Sequence, residues 1–214
     1  FDVFDTLLVR KLGNPATIRN IMAPQVCEII RSHRYDVPSF FSFSEERLFA
    51  AKVALERAKK KGREDVELKD IYDVFCERMK YTSQSLSAHL TALEEKTEES
   101  FITVRKKGHD LYSKAKQSGK KVVFVSDIYL FHGFVSSLLK KNGFGEDTLY
   151  ISSDIGLRKK SGSIWKHVLN DINVTANEVL HIGDDISGDI ETPRSRGFNV
   201  LHLPKITQEL QECA

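Results

Sequence analysis

Phe1-Asp2-Val3-Phe4-Asp5-Thr6 opens the chain, with two carboxylates at the end of a short apolar run. An aspartate held just past a buried strand can act as a nucleophile or as a ligand for a hard cation. Two positions after Asp2 stands Phe4, a side chain with no proton to give. A buried parallel strand usually has about five or six residues. Because one residue precedes Asp2, most of this strand is expected to lie upstream, the chain being processed, a renumbered fragment or a piece of a longer polypeptide.

Working outward, residues 100–214 alternate between strand and helix patterns. A long helix is expected at 99–118, stopping at Gly119. Lys121-Val122-Val123-Phe124-Val125-Ser126 then has the β-branched content and length of a buried parallel strand. A helix over 131–142, a strand over 149–152 and a helix around 163–169 follow. A strand over 179–182 leads into Gly183, and a last strand covers 199–202. Repeated strand–helix units of this kind predict an α/β fold, a Rossmann-like doubly wound parallel sheet.

Residues 14–99 have a different texture, helical throughout. Asn14-Pro15 reads as a cap followed by proline at the first helical position. Ile18, Ile21 and Met22 share a face behind it. Ser42-Phe43-Ser44-Glu45 has the form of a capping box, with Leu48, Ala51, Leu55 and Ala58 recurring at helical spacing. Leu68, Ile71, Phe75 and Met79 mark a third helix, and a fourth is expected over 83–95. The organisation expected is an α/β core of 1–13 and 100–214, with an all-helical insertion, 14–99, after the first strand.

Composition narrows the class. With 214 residues, 41% hydrophobic and 29% charged, the chain is globular. A net charge of +2 provides no general reason to bind nucleic acid. No apolar run approaches the roughly 18 residues of a membrane span. Cys27, Cys76 and Cys213 are odd in number and widely spaced, suggesting neither a disulfide framework nor a zinc site, and a cytoplasmic setting is expected.

In doubly wound sheets, ligands bind at the carboxyl ends of the strands. The residues at those ends are Asp2 and Asp5, then Ser126 and Asp127, then Asp184, Asp185 and Asp189. The acid-rich loop Gly183-Asp184-Asp185-Ile186-Ser187-Gly188-Asp189 suits Mg2+, which takes one or two carboxylates and keeps several waters. Each piece also has a plainer reading. The aspartates can cap a surface turn, Ser126 can cap a helix, and Lys159 and Lys160 can be solvated charge. Trp165 and Phe198 read as core, and His181 as a structural histidine.

Together these stretches resemble the haloacid dehalogenase superfamily, mostly Mg2+-dependent phosphatases with a Rossmann-like core. The first family motif, Asp-x-Asp-x-Thr, is matched by Asp2-Val3-Phe4-Asp5-Thr6 except at its second acid. Ser126 matches the second motif, and Gly183, Asp184 and Asp189 match the fourth. The helical insertion sits where the family places a C1-type cap. The resemblance implies that Asp2 is the nucleophile of an aspartyl-phosphate pathway on a small phosphorylated substrate. It implies Mg2+ on Asp2, the Phe4 carbonyl and Asp184. It also implies a phosphoryl contact from Ser126, with Asp127 beside the substrate, and Asp189 in the polar network of the motif lysine. That lysine is Lys159, six residues before Trp165, or else Lys160.

Phe4 departs from the family pattern, since the usual second acid protonates the leaving group. Asp5 or Asp127 can take over that task, or the substrate can be an acyl or anomeric phosphate that needs little help. Two other accounts stay open. One is a metal-independent dehalogenase-type hydrolase. The other is a binding or accessory domain of a larger protein, since similar domains occur with bacterial glycosyltransferases; that association favours a sugar or polyol phosphate. Arg10 and Lys11 just before the insertion, with Arg19, Arg57 and the run Lys59 to Arg63 inside it, are candidates for a second anionic group, or a solvated basic face.

Overall fold

Backbone hydrogen bonds make the first three residues the middle of a sheet. In the computed structural model, which describes residues 1–12, 15–38 and 41–206, the Phe1 nitrogen donates to Val123 O at 2.9 Å. Val125 N–H donates to Phe1 O at 2.9 Å, and Asp2 N–H donates to Ile182 O at 2.8 Å. The strands are β1 (Leu8–Arg10), β2 (Ile102–Val104), β3 (Val123–Ser126), β4 (Thr148–Ile151), β5 (Leu180–Gly183) and β6 (Asn199–His202). β3 pairs with β4 and β5 with β6, both parallel. Residues 1–3 therefore join the two pairs in the order β4, β3, residues 1–3, β5, β6, the expected doubly wound parallel arrangement. β1 and β2 form a separate two-stranded sheet. The expected helix cap at Asn14 and the cysteine Cys213 lie outside the described residues.

The chain forms two compact units, one running to Val9 and resuming at Thr103, the other Arg10–Ile102. The second unit is helical: α1 (Pro15–Ser32), α2 (Phe43–Lys59), α3 (Leu68–Arg78) and α4 (Gln84–Phe101). Its core includes Met22, Ile30, Ile71, Tyr72, Phe75 and Leu90. Two sequence expectations change here. Ser42 makes no side-chain cap bond, and a capping box forms instead at α3 between Glu67 and Asp70. The buried stripe of α2 is Phe43, Arg47, Ala50, Ala54 and Ala58, leaving Leu48 exposed. A charge sits in that stripe because Arg47 is held by Glu94 through two hydrogen bonds of 3.0 and 2.8 Å, and Tyr72 donates to the same carboxylate at 2.6 Å. Ile21, expected beside Ile18 and Met22, is likewise exposed.

The α/β unit carries α5 (Lys106–Gln117), α6 (His132–Lys141), α7 (Ser152–Ile155), α8 (Ser163–Ile172) and α9 (Thr192–Ser195). The single helix expected over 99–118 is two helices split by β2. Ile102-Thr103-Val104 is a run of three β-branched residues, which favours extended backbone. α5 lies directly on the opening segment. A Cβ at Gly108 would stand 2.0 Å from Thr6 O, so only glycine fits there. Val125, Tyr150, Ile164, Trp165, Val168 and Phe198 form one apolar cluster behind the sheet. Among the described residues, no helix is long and apolar enough to cross a membrane.

Candidate active site

The chain is extended only through Val3. Leu7 and Leu8 N–H both return to Val3 O, at 2.8 and 2.9 Å, so the backbone turns over at residues 5–7. Asp5 takes a left-handed conformation, φ +62°, which aspartate tolerates better than most side chains. Asp2 is thereby left at the carboxyl end of the central strand, buried, with Ser126 at the end of β3 and Asp184 just past β5.

Lys159 ties this end of the sheet together. Its ammonium donates to Asp2 Oδ1 at 2.5 Å and to Asp189 Oδ1 at 2.7 Å. Lys159 is 3% exposed, whereas Lys160 faces solvent. The Asp127 carboxylate accepts from the Lys159 backbone N–H at 3.1 and 3.2 Å and so holds the lysine loop. Asp189 sits on the π-helical turn Ile186–Glu191. Its Oδ1 also accepts from His181 Nε2 at 2.9 Å, and its Oδ2 accepts from Asp185 N–H at 3.1 Å. This close folding depends on Gly183, where a Cβ would come within 2.4 Å of the Asp189 carboxyl carbon.

Asp2, Asp184 and Asp189 bring one oxygen each within 4.8 Å of one another, all buried. One ammonium shared among three carboxylates leaves an excess of negative charge. Burial pushes Asp2 well above the usual carboxylate range, and Asp189 and Asp184 add to the push against Lys159. Burial acts on Asp189 in the same direction, but Lys159 and His181 together hold it well below that range. Desolvation opposes the Lys159 charge, yet its three carboxylate neighbours keep it above an ordinary lysine. The raised Asp2 and the raised Lys159 agree once Asp189 is counted, since that carboxylate takes the larger share of the ammonium. Burial lowers His181 to about 4, so near neutral pH it is an uncharged donor to Asp189.

A hard divalent cation fits this donor set. Asp2 Oδ2 is a buried carboxylate oxygen with no hydrogen-bond partner, and Asp2 and Asp184 belong to the same carboxylate cluster. Both Asp189 oxygens are already engaged by the protein. Asp184 is shaped by Thr6, the threonine of the first motif, and by Lys205, which has no motif signal of its own. Thr6 Oγ1 donates to its Oδ1 at 3.3 Å, and Lys205 Nζ lies 3.5 Å from its Oδ2 and 3.2 Å from Asp5 Oδ2. Nothing in the local pattern around Lys205 announces this, because its contact with Asp5 spans most of the chain.

A cavity of about 550 Å³ lies elsewhere in this unit, at the amino ends of the strands, walled by Val122, Val123, Val179, Leu180, Phe198 and Leu201. None of Asp2, Asp184 or Asp189 lines it. In the helical unit four of the candidate basic residues have internal partners: Arg10 with Glu98, Arg57 with Glu77, Lys59 with Glu56, and Arg19 with the Ser44 hydroxyl.

No family model matches the sequence, and no curated protein matches it. Solved structures do. A 2-haloacid dehalogenase from Pseudomonas syringae pv. Tomato DC3000 superposes with a TM-score of 0.66 at 14% identity, over 94% of this chain and 84% of that one. A HAD phosphatase from Thermococcus onnurineus gives 0.58 at 17% identity, over 96% and 85%. A HAD family enzyme from Bacteroides thetaiotaomicron, crystallised with magnesium and inorganic phosphate, gives 0.58 at 13% identity, over 96% and 92%. The chain has the haloacid dehalogenase-like fold.

Proposed function

We propose that this protein is a Mg2+-dependent phosphohydrolase of the haloacid dehalogenase type, acting on a small phosphorylated metabolite through an aspartyl-phosphate. The observation that carries the reading is the Lys159 ammonium bridging Asp2 and Asp189 beside buried Asp184, with one Asp2 oxygen left unpartnered. An Asp2 carboxylate oxygen attacks phosphorus, the bond to the leaving oxygen breaks, and water later cleaves the acyl-phosphate to inorganic phosphate and the free carboxylate. Lys159 offsets charge on the nucleophile and the phosphoryl group. The Ser126 hydroxyl donates to a phosphoryl oxygen, with Asp127 fixing the lysine loop at the substrate side. Asp189, backed by His181, positions Lys159. Mg2+ would be held by Asp2, the Phe4 carbonyl and Asp184, and would supply neutralising charge to the phosphoryl oxygens.

Phe4 directs the choice of substrate. Asp5 is paired with Lys205 and Asp127 with the Lys159 N–H, which weighs against either as a ready proton donor. A substrate whose leaving group departs with little protonation, such as an anomeric sugar phosphate or an acyl phosphate, suits this arrangement. Phe4 also supports a second reading, a weakly catalytic accessory domain of a larger glycan-related protein. The two are separated by incubating the protein with p-nitrophenyl phosphate, acetyl phosphate and a sugar-phosphate panel, with Mg2+ and with EDTA. Mg2+-dependent hydrolysis that disappears in Asp2→Asn supports the phosphohydrolase. Silence on every substrate, with Mg2+ still raising thermal stability, supports the accessory domain. Metal-independent halide release from a 2-haloacid would overturn both.

A further inference from the structure

Lys205 sits where an incoming cation would have to meet it. Its ammonium lies 3.5 Å from Asp184 Oδ2 and 3.2 Å from Asp5 Oδ2. The backbone that carries it is anchored. Leu203 is buried and its N–H donates to Gly183 O at 2.9 Å. Arg105, itself buried, donates to Leu203 O at 3.2 Å and to Pro204 O at 2.6 Å, the two residues directly before Lys205. The same guanidinium donates to Asp5 O at 2.7 Å. One arginine thus fixes both the turn after Asp2 and the segment that delivers Lys205 to it.

We propose that Lys205 is a tethered counter-cation that competes with the divalent metal for Asp184 and so sets how tightly the site holds Mg2+. The inference rests on the metal reading above and adds a residue and a regulatory consequence to it. Like charges repel across this short distance, so the bound metal must share Asp184 with the ammonium or turn it out toward solvent. The Lys205 side chain is 47% exposed, which lets it swing away and keeps the penalty moderate. Without metal, the ammonium partly offsets the excess negative charge around Asp184. The site is therefore never left wholly uncompensated, and metal exchange is eased.

The test is calorimetric titration with Mg2+ alone, at fixed ionic strength, of the wild-type protein, Lys205→Gln, Lys205→Arg and Asp184→Asn. Lys205→Gln should bind Mg2+ about tenfold more tightly than wild type. Lys205→Arg, which keeps the charge, should stay close to wild type, and Asp184→Asn should lose binding. Equal or weaker binding by Lys205→Gln, with wild type binding normally, would overturn the role of Lys205 and leave the metal site standing. No binding by either protein would overturn both.

Discussion

The Lys159 ammonium and the Asp189 carboxylate stand 2.7 Å apart with both side chains almost sealed from water, and the same ammonium reaches Asp2 on its other side. Removing one member of a buried pair is far more damaging than the net worth of the pair, because the other charge is stranded. Lys159→Met is expected to cost about 3–5 kcal/mol in metal-free urea unfolding. Mg2+ should recover part of that loss, and an unchanged unfolding midpoint would contradict the charge balance described for this site.

Asp2→Asn should behave in the opposite way. Asp2 is held above the usual carboxylate range by burial and by two carboxylate neighbours, so its ionised form destabilises the metal-free fold. The sign follows directly: a carboxyl raised on folding adds stability at low pH and loses it as pH rises through the folded value. Asn at this position is expected to raise metal-free stability by roughly 1 kcal/mol at pH 8, with the gain shrinking as the pH falls. Hydrolysis should vanish in the same variant. A uniform gain at every pH would point away from ionisation as the cause.

His181 gives a separate acid-side signature. Its folded value of about 4 lies below the ordinary 6.5, so the unfolded chain takes up a proton that the folded chain refuses. Stability should be intact above about 6.5 and decline toward 4. Between pH 7.5 and 5, wild type should lose about 2 kcal/mol more than His181→Gln, read from paired urea titrations. Parallel losses in the two proteins would remove His181 from the account.

Phe4→Asp tests the leaving-group argument. A side-chain carboxyl at this position should speed hydrolysis of alkyl phosphates by about 10²-fold, toward the lower end of general-acid effects. Acetyl phosphate, whose leaving group departs unaided, should change little. Equal acceleration of both substrates would mean that the new carboxylate acts through the metal rather than through a proton.

Much of the α/β unit is legible from the chain alone because its signals are local. Val122 to Val125 can hardly be anything but a buried strand, and Gly183-Asp184 follows an apolar run with no room for a helix between them. The acidic loop is similarly conspicuous. The pattern leaves Lys159 and Lys160 as alternatives, and burial separates them: one is enclosed by carboxylates and the other faces water. The misread parts are governed by distant partners. Arg47 belongs to the α2 interior because Glu94 holds it there, while Leu48, expected on the buried face, is exposed. Arg105 and Lys205 take their places through contacts with Asp5, about a hundred or more residues away along the chain, which no periodicity records.

Asp2, Ser126, Lys159, Asp184 and Asp189 all come from outside the segment between β1 and β2, and the Asp2–Lys159–Asp189 charge network closes without it. The helical segment is thus a self-contained cassette in the coding sense, buttressed by its own buried Arg47–Glu94 pair. Such an arrangement decouples two kinds of evolutionary change. Substitutions in the cassette can accumulate without removing any member of the charge network around Lys159.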